Sequence, residues 1–185
     1  MEYYFDTCSL VALARYFSPF DSTSILYDFI QGKYVSKEIV ILDVIYQEAR
    51  NTSQSLAIKT FPFIEEKKDL LVKTTDLMPC SPKRFDNMLE RNFVIPALKN
   101  DPKIDFSLLK QSFLLSGDGK LIMTMYNRLH EDEDAQICIV TEETRVANDG
   151  KVFKKIPALC DQIQARCITL VDYLKTTSLH LSFDE

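Results

Sequence analysis

Ile39-Val40-Ile41-Leu42-Asp43 is a continuous apolar run that ends in an acid and is preceded by polar residues. Four apolar side chains in a row suit a strand buried on both faces, as in a parallel sheet. Ile137-Cys138-Ile139-Val140 repeats the pattern and runs into Thr141-Glu142-Glu143. Residues 2–5 read as a third strand ending at Asp6-Thr7, and Cys167-Ile168-Thr169-Leu170 as a last one. Leu70-Leu71-Val72-Lys73 reads as an edge strand.

Helical patterns fill the intervals. Leu10, Leu13, Ala14 and Phe17 share one face of a segment Ser9–Phe17 that Pro19 ends. Asp21 or Ser22 can cap a helix running to about Gly32. Asp43 can cap one through Val44, Ile45, Glu48 and Ala49, and a further helix is expected over Gln54–Lys67. Residues 83–115 read as helical with interruptions near Pro96 and Pro102. Gly117-Asp118-Gly119 reads as a turn before a helix Lys120–Leu129. A helix from Ile156 or Pro157 to Gln164 and a last turn at Val171–Lys175 complete the chain. Strands alternating with helices imply an α/β fold with a mostly parallel sheet of four to five strands. A single domain is expected over residues 1–175, with a helical insertion at about 50–115 and a tail at 176–185.

Composition narrows the chemistry. The chain has 185 residues, 46% hydrophobic and 26% charged, which suits a globular domain. No apolar run approaches the roughly 18 residues of a membrane helix. The N-terminus has no basic stretch and carries an acid at once, so a cytoplasmic protein without a signal peptide is expected. The five cysteines form no C-x-x-C and read as reduced thiols. The two histidines, His130 and His180, are too few and too far apart for a histidine-based triad or a multi-histidine metal site. Any working groups are therefore expected to be carboxylates. The net charge of −5 is unevenly spread: −4 over residues 1–49, +3 over 50–112 and −4 over 113–185. A basic middle between acidic flanks is compatible with a substrate-facing surface near an acidic site.

In parallel sheets, ligands bind beyond the carboxyl ends of the strands. Asp6 follows the first strand there, Asp43 and Glu48 follow the Ile39 run, and Glu142 and Glu143 follow the Ile137 run. Asp118 opens the helix just before that last strand. Clustered carboxylates repel one another unless protonated or neutralised. Oxygen-only ligands suit Mg²⁺ or Mn²⁺, which can activate a water and stabilise charge on a phosphodiester. For Asp43 the helix-capping role is preferred. Rival motifs fail on residues. The haloacid dehalogenase pattern needs a second carboxylate where Cys8 stands. Six residues, not five, separate Cys8 from Arg15, which excludes a cysteine-phosphatase loop. Gly117-Asp118-Gly119-Lys120 lacks the first glycine and the Ser/Thr of a P-loop.

Phe5-Asp6-Thr7-Cys8-Ser9-Leu10 resembles the Asp-Thr-Asn-x-Leu opening of PIN domains, many of which are small metal-dependent ribonucleases. Glu48 matches the family's second acid, and Asp118, before Leu121-Ile122, its third. Thr141-Glu142-Glu143 resembles the family's Thr-x-Asp, which selects Glu143 as the fourth acid; Glu142 and Asp149 are the other candidates. Lys155-Ile156-Pro157-Ala158-Leu159-Cys160 resembles a PIN-like subfamily often likened to VapC-type toxins. Cys8 stands where the family usually has Asn, and Glu143 where it usually has Asp.

The resemblance implies a three-layer sandwich and an endoribonuclease. Asp6, Glu48, Asp118 and Glu143 would hold Mg²⁺ or Mn²⁺, and Thr7 and Thr141 would orient carboxylates. It also implies the toxin of a toxin–antitoxin pair, an RNA substrate, an antitoxin or regulatory partner, and a homodimer. Lys83, Arg84, Arg145 and Lys151 are the candidate nucleic-acid contacts, with Lys67, Lys68 and Arg91 beside them. The alternative is a catalytically weak scaffold of the same fold that binds nucleic acid or a protein.

Overall fold

The computed structural model describes residues 1–145 and 150–177. Four strands form one sheet: β1 (Glu2–Phe5), β2 (Ile39–Val40), β3 (Ile137–Val140) and β4 (Arg166–Ile168). Their order is β2-β1-β3-β4 and every pair is parallel. Tyr3 pairs with Ile39, Phe5 with Val140, and Val140 with Ile168. All four residues of β3 are buried, as a strand covered on both faces must be. The architecture is α/β, consistent with a three-layer sandwich. Among the described residues no helix is long and apolar enough to cross a membrane.

The Ile39 run is a formal strand only at its first two residues. Its end still joins the sheet edge: the Val72 amide donates to the Ile41 carbonyl (3.1 Å) and the Asp43 amide to the Val72 carbonyl (2.9 Å). The expected edge strand at residues 70–73 shrinks to this one bridge. A 3₁₀ turn at Lys68–Leu70 leaves too little extended chain for more.

The helices are α1 (Thr7–Ala12), α2 (Ile25–Val35), α3 (Asp43–Asn51), α4 (Leu56–Thr60), α5 (Phe63–Glu66) and α6 (Pro82–Arg91). Then come α7 (Pro96–Lys99), α8 (Phe106–Leu115), α9 (Gly117–Glu131), α10 (Ile156–Ile163) and α11 (Leu170–Thr176). α1 begins earlier than its apolar face implies, because Asp6 caps it; it then winds into a π turn at Leu13–Phe17. Ser24 holds the N-cap position of α2, and the Asp21 carboxylate reaches in from three residues earlier to accept the Leu26 and Tyr27 amides. Asp43 does not cap α3. It is the first residue of that helix, and its carboxylate instead accepts the Thr74 amide and hydroxyl.

The single helix expected over Gln54–Lys67 is two short pieces. Pro62 has no amide to donate and pushes Phe61 out of the helical region, so the chain breaks between them. Pro82, Pro96 and Pro157 instead start helices, each standing in a first turn. Gly117-Asp118-Gly119 is the first turn of α9, not a separate turn. Ser116 caps it by accepting from the Gly119 amide. A Cβ on Gly119 would collide with the Phe113 carbonyl oxygen, so glycine is what lets α8 run so closely into α9.

Residues of the insertion join the same core as the strands. Phe85 packs edge-on against Phe93 and Tyr126, and all three are buried. The Phe93–Ile95 segment is bonded to Val152 and Lys154, just before α10. Of the tail expected at 176–185, Thr176 ends α11; residues 178–185, with His180, lie outside the described residues.

Candidate functional site

The chain leaves β1 toward β2 on one side and returns to place β3 on the other. The strand order therefore reverses between β1 and β3, and the crevice beyond their carboxyl ends is where open parallel sheets take ligands. Asp6 and Thr141 stand there, at the first residue after each strand, and the Asp6 amide bonds the Val140 carbonyl (3.0 Å).

Asp6 is only 4% exposed. Its Oδ1 accepts the Thr7 amide (2.6 Å), and its Oδ2 accepts the Cys8 thiol (2.8 Å) and the Thr141 hydroxyl (3.0 Å). All three donors are neutral. Burial pushes the Asp6 carboxyl above the usual range, the Cys8 and Thr141 bonds pull it back, and the nearby Glu143 charge raises it again. Burial also raises the Cys8 thiol, with Asp6 adding to it, so Cys8 stays protonated and able to donate.

Glu48 enters from α3. Its Oε2 accepts the Thr7 hydroxyl (2.8 Å) and its Oε1 the Gly117 amide (2.7 Å). Thr7 therefore serves both acids, through its amide and its hydroxyl. A Cβ on Gly117 would lie 2.5 Å from Glu48 Oε2 and 2.6 Å from Ile45 Cδ1. Glycine is what allows the start of α9 to reach Glu48. That contact was hidden in the sequence, where Gly117 looked like a turn residue.

Asp118 follows on α9, and its carboxyl is pushed up to about 7. Burial is the main cause, followed by the charges of Asp6, Glu143 and Glu48; Lys151 opposes them. A helix N-terminus favours a carboxylate by only about 0.3–1 kcal/mol, under one unit of pKa. Burial and three acidic neighbours outweigh it. Asp6, Glu48, Asp118 and Glu143 are thus electrostatic neighbours.

The adjacent glutamates divide. Glu143 Oε2 accepts the Ile156 amide at the start of α10 (2.8 Å), and its charge acts on both Asp6 and Asp118. Glu142 turns away: its Oε1 accepts the Leu170 amide at the start of α11 (2.7 Å). Asp149, the third candidate, lies outside the described residues.

An all-carboxylate donor set suits a hard cation, and its mutual repulsion is what a dication relieves. The residues fit Mg²⁺ or Mn²⁺ by their chemistry. Yet both oxygens of Asp6 and of Glu48 are engaged in hydrogen bonds. Among the described residues no group of three or more His, Cys, Asp or Glu side chains is drawn together closely enough to hold an ion.

The cations are scattered. Lys151 bears on Asp118. Arg145 is exposed and pairs with Asp161 (2.9 Å). Lys83 and Arg84 are exposed on α6. Arg84 lines a hollow with His130, Glu133 and Gln164, where α9 and α10 lead into β3 and β4. That is the amino edge of the sheet, so the structure does not bring Arg84 to the carboxylates.

The chain belongs to the family described as a domain of unknown function, DUF4411, whose model matches residues 3–181. No curated protein and no solved structure matches it.

Proposed function

We propose that this DUF4411 member is a metal-dependent endoribonuclease of PIN type. The observation that carries this is the Asp118 carboxyl, held near 7 by burial and by Asp6, Glu143 and Glu48 at the switch point of the sheet. Like charges held together, one of them buried and three half-buried, destabilise a fold, and functional sites are where such arrangements persist. Asp6, Glu48, Asp118 and Glu143 would hold Mg²⁺ or Mn²⁺. Bound there, the ion supplies Lewis-acid chemistry, lowering the pKa of water and offsetting charge on a phosphodiester.

The chain's own residues do the rest. Thr7, Cys8 and Thr141 hold Asp6 in one orientation, and Thr7 with the Gly117 amide fixes Glu48. The Ile156 amide steadies one oxygen of Glu143. Asp118 can hold or release a proton near neutral pH. The toxin role and an antitoxin or self-association partner belong to the same proposal. Exposed Tyr16, Phe20 and Ile25 are the feature that supports a protein partner.

One observation favours a second reading, a non-catalytic scaffold that binds nucleic acid or protein: the bonded oxygens of Asp6 and Glu48 and the lack of a ready-made ligand cluster among the described residues. Purified protein should cut single-stranded RNA in Mn²⁺ and stop with chelator. Asp6→Asn should lower the rate about a thousandfold or more, the scale for groups that act as a unit, without unfolding the chain. Absence of cleavage by the wild type, or a variant as active as wild type, selects the scaffold.

A further inference from the structure

The two helices that carry Glu48 and Asp118 also border a second hollow. Asp118 is followed two residues later by Lys120, and Glu48 is preceded by Tyr46 and Gln47; these earlier and later residues line a separate cleft of about 520 Å³. Its other walls include Lys68, Lys73, Thr75 and Leu115. The bridge between Leu42 and Val72 and the bond from Thr74 to Asp43 place it beyond the carboxyl end of β2. It therefore opens on the same edge of the sheet as the carboxylates, one strand further out.

The chemistry of this cleft is the reverse of its neighbour's. Three lysines line it. Lys120 is buried, 7% exposed, and its ammonium donates to the Leu77 carbonyl (3.3 Å). Among the described residues it meets no carboxylate, and a buried lysine without a counter-charge is uncommon. Lys73 is exposed and, among the described residues, forms no ion pair. Lys68 is partly neutralised by Glu65 (3.0 Å). The acid in the wall, Asp43, is occupied by Thr74. The Tyr46 hydroxyl is buried and makes no hydrogen bond of ordinary geometry, although Lys68 and Glu65 lie near enough to feel it.

We propose that this cleft binds a backbone phosphate of the RNA strand, an inference that rests on the nuclease reading of the neighbouring site. Ammonium groups bind phosphate as point charges, and the Thr75 hydroxyl and Gln47 amide add neutral donors. The role follows from the repulsion next door: a polyanion approaching four carboxylates needs an anchor of opposite sign. Lys73 and Lys120 supply it from the helix and loop that flank the acids.

The test is binding without chemistry. A short, nuclease-resistant 2′-O-methyl RNA is titrated by fluorescence anisotropy in chelator across a range of salt. Lys73→Gln and Lys73→Gln/Lys120→Gln should each weaken binding, the double variant about tenfold or more, the scale of a charge-assisted contact. The log–log salt slope should flatten by about 0.7 for each lysine removed. Lys73→Arg should restore the slope, and Arg84→Gln, at the amino edge of the sheet, should leave it unchanged. If the double variant melts early, exposed Lys73→Glu decides, with a larger loss expected. Unchanged affinity and slope in Lys73→Glu overturn the proposal, as does a wild type that binds no RNA. Cleavage in Mn²⁺ is scored separately. A chain that cuts RNA but binds it independently of Lys73 loses only the cleft. A chain that never cuts but binds through Lys73 loses only the nuclease reading.

Discussion

The two ends of β1 carry acids in opposite circumstances. Glu2, at the amino end, accepts the Tyr4 hydroxyl (2.8 Å) and pairs with Arg128 through both of its oxygens (3.2 Å each). Asp6, four residues on, is held by a backbone amide, a thiol and a hydroxyl, and the charge that bears on it is that of Glu143. The first arrangement neutralises a charge where the chain needs none. The second orients a charge and, among the described residues, sets no ion pair against it. An acid that serves the fold finds a cation; an acid held only by neutral donors keeps its field available to something that is not protein.

The largest expected contrast is in pH dependence. Unfolded, Asp118 ionises near 3.8; folded, near 7. The folded chain therefore binds more protons between those values, and stability falls as pH rises from about 4 to about 7. Asp6 acts in the same direction. In chelator, Asp118→Asn should gain stability over wild type across that window by something on the order of 4 kcal/mol. Denaturant midpoints at a series of pH values measure it; parallel curves for the two proteins would erase the contrast.

Next in size is the split between the adjacent glutamates. Glu143→Gln should lower cleavage about a hundredfold or more. Glu142→Gln should leave cleavage within about threefold and cost under about 1 kcal/mol, because its work is at the start of α11. Steady-state rates across a Mn²⁺ titration decide, and the reverse ranking would move the fourth acid to Glu142. Saturating Mn²⁺ should raise stability by about 2.7 kcal/mol at 100 times its dissociation constant. For a chain of this size that is about 5–10 °C in Tm, and Asp6→Asn should abolish the rise. Smallest is Glu2→Gln. Its ion pair is partly exposed, so less than about 1 kcal/mol should be lost, with cleavage and the pH profile unmoved.

The sheet and its acids were readable because both depend on short, local patterns. An apolar run ending in an acid announces a strand and the residue beyond it, and Asp6, Thr141 and the pair Glu142-Glu143 were placed that way; only the resemblance to the PIN pattern singled out Glu143. Three features were not readable, each for a physical reason. Gly117 matters through a missing Cβ beside Glu48, 69 residues away in sequence, and no local pattern encodes a distant clearance. Cys8 looked like a departure from the Asn of the PIN pattern that the sequence resembles, and only the approach of Thr141 and Asp6 shows the thiol donating. Lys120 looked like one more helix residue until the Leu77 loop folded over it. Pro62 was visible, but a helical pattern on both sides of it masked the break.

The protonation of Asp118 also sets the currency in which the site trades. A cation that enters must displace protons, because ligands bind ions in their deprotonated form. At pH 7 Asp118 alone carries about half a proton to give up. The heat of ion binding would then depend on the ionisation enthalpy of the buffer that receives that proton. Occupancy at fixed metal would climb as the surroundings turn alkaline. Such a chain would read the acidity of its compartment and its supply of divalent ions as one combined quantity.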